Sequence, residues 1–557
     1  MARISARSYA FALVASQALW ALQGIQSASA QVPDPCYSPP FSPLISPCVP
    51  HDTPAGSSAS IADLAFFAWQ EFIALNWVAM DPTTTGMRGR ADTNADFLGI
   101  APDSQGNFPL VVWQTYRHKN ELFPSDGNTD TTFDSAQPTY TYSSPPTTGS
   151  VASPLTGQPS FHLFNNLDET SQIGLCNMYA HGTSPTDPVN TGAIRVAYEA
   201  KVNRSVFDYV YQSGFTDPGS NKQYLTLQNA LGVTQSNLAA YGGICSLPPN
   251  TTQQIVMLPC GDANVPGDPG EGAIEIKAAW RELTAAEVSS GRFFTRKVIY
   301  YTGPKGKQTY NNAVWGLVAL HIIHKTKSFP AFVFATWEQV DNYDDTATPP
   351  QNPNPENLAF VNTGTPLPNI PVKRAHAIHS QVAATNVSVH NSFKAGNSST
   401  VWQYYELIGV QATPVNGPPA ATASADDFSY YYLANIMVET NQTLQNFFGA
   451  APNGTVIPFQ NVTLNGQAVQ MGGCQGCHGF QAQYIGGDMS RIIAVGAPNA
   501  AQPESLDSSE ATSIRTYQQR STAVSLRQFR PQQGPWGKDR SDFYDNHRED
   551  RRAPGHR

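Results

Sequence analysis

Among the chain's 557 residues, one stretch limits every fold open to it: Gly472-Gly473-Cys474-Gln475-Gly476-Cys477-His478-Gly479. Cys-x-x-Cys-His is the attachment signature of c-type haem. Two thiols at this spacing can add to the two vinyl groups of one porphyrin. The residue after them, His478, then lies under the iron as an axial ligand. We therefore expect one covalently attached haem c, held by Cys474, Cys477 and His478. A redox dithiol would open a helix early in a βαβ unit, and no such unit follows the motif. A zinc site would need a second ligand pair, and the chain has no other Cys-x-x-Cys.

Haem attachment of this kind takes place outside the cytoplasm, and the N-terminus agrees with it. Arg3 and Arg7 form a charged start, Tyr9 to Leu22 is mostly apolar, and Ala28-Ser29-Ala30 is an A-x-A cleavage site. Residues 1–30 are expected to be a signal peptide, cleaved near Ala30 to leave a periplasmic or secreted protein that starts at Gln31. No other stretch is long and apolar enough to span a bilayer, so we expect no integral membrane segment in the mature chain. The formal net charge is −9. An acidic surface argues against nucleic-acid partners.

Five cysteines remain in an oxidising compartment, where pairing is the rule. Cys36–Cys48 and Cys245–Cys260 are the local disulfide candidates. Cys176 is then left over as a buried thiol, or the pairing is not local.

Charged residues are only 13%, whereas Gly (42) and Pro (44) are frequent, which points to a turn-rich, β-rich body. Residues 31–57 read as a Pro/Ser-rich arm. Ser60-Ile61-Ala62-Asp63 resembles a capping box, and Ala62–Trp77 follows as an amphipathic helix. Leu110–Tyr116 reads as a strand. Four further strand-like runs are Gly272–Trp280, Phe293–Tyr301, Ala313–His324 and Ala331–Trp337, which together suggest an antiparallel sheet. Val401–Val410 is a further strand or a short helix. Phe428–Phe448 carries apolar residues at helical spacing. We expect an α+β fold: a β-rich body over 58–427 with flanking helices, a small helical haem-binding segment over 428–500, and a polar tail over 501–557 without a core.

The opposite face of the iron is the open question. Met489 is the sole methionine after the motif, only eleven residues beyond His478. That is short for a chain that must cross to the far side of a porphyrin. The other candidates lie upstream. His321 and His324 sit in Leu320-His321-Ile322-Ile323-His324-Lys325, and on a strand they face opposite sides, so only one can point at a given site. His376 and His379 form a second pair. If none reaches the iron, an open face flanked by a histidine can act on a bound oxidant.

Several phrases carry a resemblance: Phe67–Asn76 (FAWQEFIALN), Val112–Tyr116, Glu275–Leu283 (EIKAAWREL), His321–Trp337 with Asp341-Asn342, Trp402–Leu407, Asn435–Gln445 and Met471–His478. Together, over about Ile61 to Ile492, they resemble a family of exported bacterial cytochrome c-type proteins. The resemblance implies the haem residues Cys474, Cys477 and His478. It implies an aromatic residue near the position of Met489, which counts against a thioether ligand there. It supplies no substrate. The expected function is periplasmic electron transfer with a redox partner protein or a small-molecule oxidant or reductant. The alternatives are a peroxidase- or oxygenase-like haem enzyme with an open distal site, and a haem-based ligand sensor.

Overall fold

The computed structural model describes residues 44–125, 130–142, 163–169, 196–215, 221–237, 240, 242–262, 270–303, 307–342, 376–413, 419–435, 437–438, 463–464, 467–468, 472–476, 478, 484–496 and 503. Residues 1–30, Cys36, Cys176, Cys477 and, apart from Pro503, residues 501–557 lie outside the described residues.

Helix α1 (Ile61–Leu75) begins where the sequence predicts. The Ser60 hydroxyl accepts from Asp63 N, and the Asp63 carboxylate accepts from Ser60 N at 2.8 Å, which satisfies two backbone donors at once. Asn76 ends the helix: its amide donates to Phe72 O at 2.8 Å and its carbonyl accepts from Trp113 Nε1 at 3.0 Å. From Leu64 to Leu75 all but Phe66 are buried, so α1 runs through the core rather than over it.

The body is one eight-stranded sheet made of β1 (Arg117–His118), β2 (Asn166–Leu167), β3 (Val196–Val202), β4 (Ile274–Glu282), β5 (Thr295–Thr302), β6 (Thr309–His324), β7 (Val333–Gln339) and β8 (Tyr405–Gln411). The four expected strand runs are β4 to β7. The long β6 borders β4 on one side. On the other it serves β5 with its first half and β7 with its second, and β8 adds to β7. The pairs are antiparallel except β2 with β5, so the sheet is mixed rather than wholly antiparallel. With its helices this is an α+β arrangement. Among the described residues no helix is long and apolar enough to cross a membrane.

Two sequence expectations change. Leu110–Tyr116 is not a strand: Val112–Thr115 forms a helical turn. Val111 N donates to Gln114 Oε1 at 3.0 Å and Thr115 Oγ1 to Val112 O at 2.7 Å, so side chains take the bonds that a strand partner would supply. The long helix over Phe428–Phe448 is also shorter at its start. The structure has α3 (Ala425–Tyr431), capped by Ser424 and Asp427 and ending at Tyr432. Beyond it, the Asn435 amide donates to Thr336 Oγ1 at 2.8 Å and to Trp337 O at 3.0 Å, tying the chain to β7 instead of continuing the helix. Residues 439–448 are outside the described set. Val401–Val410 divides into a helical turn, Val401–Tyr404, and strand β8. Helix α2 (Ser380–Gly396) was not foreseen and packs on α1 and β8. Cys245 and Cys260 form a disulfide with an S–S distance of 2.09 Å. Cys48 is disulfide-bonded as well.

Candidate haem-attachment site

Strand pairing sets the platform. Glu275 of β4, Ile323 of β6, Phe334 of β7 and Gln411 of β8 are register partners in one row across the sheet. Register partners in antiparallel strands share a face. Three of these four side chains hold the C-terminal segment.

Gln411 grips the start of the motif. Its Oε1 accepts from Gln475 N at 2.8 Å, and its Nε2 donates to Tyr430 O at 2.9 Å and Gly472 O at 3.3 Å. The Gln475 amide in turn donates to Ala412 O at 3.0 Å. Gly473, Cys474 and Gln475 form a single buried helical turn. Gly473 has φ 63°, and a Cβ there would lie 2.9 Å from Gln411 Nε2 and 3.0 Å from Leu433 O and Tyr431 O. Glycine is thus required at 473 by the fit to the body, independently of any porphyrin. Cys474 is buried within the main hydrophobic core.

Phe334 carries the other end of the motif. Its ring lies 5.0 Å from the half-buried ring of His478. His478 Nδ1 is 3.0 Å from the carbonyl oxygen of Met489. A ring nitrogen facing a carbonyl is the protonated one, which puts the ring's lone pair on Nε2, the atom through which it would ligate a metal. A backbone carbonyl on the second nitrogen is the usual support of a metal-bound imidazole. This orientation of His478 fits an axial histidine of a c-type haem. Cys474 and His478 would hold the group, together with Cys477, which lies outside the described residues.

Glu275 secures the segment beyond the motif. It accepts a hydrogen bond from the Ser490 hydroxyl, and the same oxygen of Ser490 accepts from Ile493 N at 3.0 Å to cap α4 (Arg491–Val495). Asp488 forms a buried ion pair with Lys325, the residue after β6, and accepts from Leu258 N at 2.8 Å. Arg491 pairs with Glu169 at 3.4 Å. The turn between these anchors is strained: Asp488 has φ 57° and Met489 φ 66°, a left-handed conformation that costs a non-glycine residue about 1–3 kcal/mol. Burial pushes the Glu275 carboxyl up to about 8, helped by nearby Asp488 and opposed by the Ser490 bond. Burial raises Asp488 as well, against the pull of Lys325.

The remaining sequence candidates separate. His321 lies on the motif face. Its register partner is Thr336, and Phe334 is its diagonal neighbour, about 7–8 Å away by strand geometry. His324 lies on the opposite face, fully buried. Its Nδ1 is 2.5 Å from Glu71 Oε1, and its ring stacks on Phe67 at 5.7 Å. Met489 is also fully buried, and its carbonyl bonds to His478, so its backbone stands on the His478 side. His379 caps α2, accepting from Gln381 N at 3.2 Å. His376 packs against Phe428 and Tyr432. Neither histidine joins His478.

The anchors Gln411, Glu275, Lys325, Phe334, Asp488 and Ser490 were not singled out from the sequence. Lys325 and Asp488 carried the one usable signal: a charge at the end of an apolar strand run, and a carboxylate between Gly487 and Met489. Comparison with known proteins returns no match: no protein-family model, no curated protein and no solved structure is significantly similar to this chain.

Proposed function

We propose that this chain is an exported c-type cytochrome that carries one covalent haem and transfers electrons in the periplasm. The observation that supports it most is the bond between His478 Nδ1 and the Met489 carbonyl, within a Cys-x-x-Cys-His motif. When bound, the haem supplies a one-electron couple at its iron. Cys474 and Cys477 are the attachment residues and His478 the axial ligand. Phe334 packs on the His478 ring, and Gln411 holds the motif's backbone against the sheet. The body keeps water from that side and presents the surface that a redox partner protein, or a small oxidant or reductant, would meet.

A second reading, a haem enzyme or ligand sensor, is favoured by one observation: His321 shares the motif face. There it can deliver or accept a proton beside a bound ligand.

Carbon monoxide added to the reduced protein separates the two. A carrier with both axial positions filled keeps its spectrum. Rapid binding of the gas would overturn the carrier and leave the open-site reading. N-terminal sequencing of protein secreted by a bacterial host should begin at Gln31. A chain that retains Met1 would contradict export by cleavage.

A further inference from the structure

We infer that the buried Lys325–Asp488 pair is a positioning device: it holds the Met489 carbonyl on His478 and so sets how strongly His478 donates to a bound metal. The inference rests on the haem reading above and assigns a role to residues outside the motif.

The Met489 carbonyl stands between two anchors. One residue before it, Asp488 is held by Lys325 and by Leu258 N. One residue after it, Ser490 is held by Glu275. Lys325 itself is fixed, because its backbone N–H donates to Ala273 O at 2.9 Å beside the start of β4. Asp488 and Met489 both occupy left-handed backbone. Non-glycine residues stay there only when their surroundings over-determine them. Both side chains of the ion pair are fully buried. A buried ion pair is a poor device for stability alone, since apolar side chains of like volume commonly serve as well. It is a good device for fixing a turn, because its two charges tolerate one arrangement.

The consequence for His478 follows from its Nδ1 bond. A firm N–H to carbonyl bond makes the ring a stronger donor through Nε2, which favours the oxidised iron. Loosening the turn weakens that bond, so the midpoint potential should rise. The large body thereby tunes a group attached near the chain's C-terminal end.

The test uses the full-length protein secreted with its haem. The variants are Lys325→Met/Asp488→Asn and Lys325→Arg. Asparagine tolerates left-handed backbone and can still accept from Leu258 N, and removal of both charges leaves none buried and unpaired. For the double variant we expect unchanged covalent haem content and a higher midpoint potential, by about tenfold in the reduction equilibrium constant, or 59 mV for a one-electron couple. Lys325→Arg should restore the wild-type potential. If the double variant does not fold, Lys325→Gln/Asp488→Asn, which puts a neutral hydrogen-bonding pair in place of the two charges, should give a smaller rise of the same sign. Variants that lose stability yet keep the wild-type potential overturn the inference and leave the haem reading intact. Wild-type protein without covalent haem overturns that reading and the inference with it.

Discussion

Strands β4, β6 and β7 present two unlike faces. Toward α1 they bury Trp280, Ile322 and Trp337, and Trp337 packs against Trp69 at 6.2 Å and Phe72 at 5.2 Å. An ionisable pair in that layer that meets α1, His324 with Glu71, is sealed by Phe67. On the other face the same strands offer Glu275, Lys277, His321 and Phe334, and there hydrogen bonds and a buried ion pair join the apolar packing of Cys474, Met489 and Ile493 in holding the C-terminal segment. The first face resists unfolding. The second face also specifies where one histidine points.

This contrast can be broken by substitution. Trp337→Ala empties the aromatic layer and should cost about 3–5 kcal/mol, read as a lower denaturant midpoint. A cost below about 1 kcal/mol would mean that the layer is not the main core.

The motif face should respond to pH instead. Unfolded, Glu275 releases its proton near its ordinary value of 4.5; folded, it keeps it up to about 8. Its contribution to stability is therefore full below pH 4.5 and is lost as pH rises to about 8, by on the order of a few kcal/mol. Glu275→Gln should flatten that part of the stability profile. A profile that falls equally in both proteins would show that Glu275 is not the group responsible.

Glu71→Ala leaves His324 Nδ1 without its partner and should cost about 1–3 kcal/mol. Because that pair lies on the face away from His478, the visible spectrum of the proposed haem adduct should not change. A changed spectrum would place His324 on the motif side after all. Ser60→Ala removes one helix cap and should cost only about 1 kcal/mol, with no effect on either face's function. A loss several times larger would tie the start of α1 to more than local capping.

How much of this was legible in the sequence follows the same division. Strand-like apolar runs, one of them alternating, gave away β4 to β7, and a capping box with close-set aromatics gave away α1. Helix α2 escaped because its buried stripe is thin: Val382, Asn386, Val389 and Phe393, with a polar residue in the middle. Asn386 belongs there because it accepts from Trp69 Nε1 at 2.9 Å and donates to Leu407 O at 2.8 Å, partners more than 300 and 20 positions away. The site divided likewise. Cys474 and His478 stand out by spacing alone. The row of Glu275, Phe334 and Gln411 exists only once β4, β6, β7 and β8 are in register, and Asp488 meets Lys325 across 163 positions. The rule that His321 and His324 face opposite ways was readable, but which of them faces the motif needed the sheet.

We propose that this body holds one covalently attached haem through Cys474, Cys477 and His478. Its most direct test is the mass of the denatured chain after secretion from a bacterial host that matures c-type cytochromes. The account predicts a mass greater than the polypeptide's by one haem, which disappears in Cys474→Ser/Cys477→Ser. A wild-type chain with the bare polypeptide mass under those conditions would contradict it.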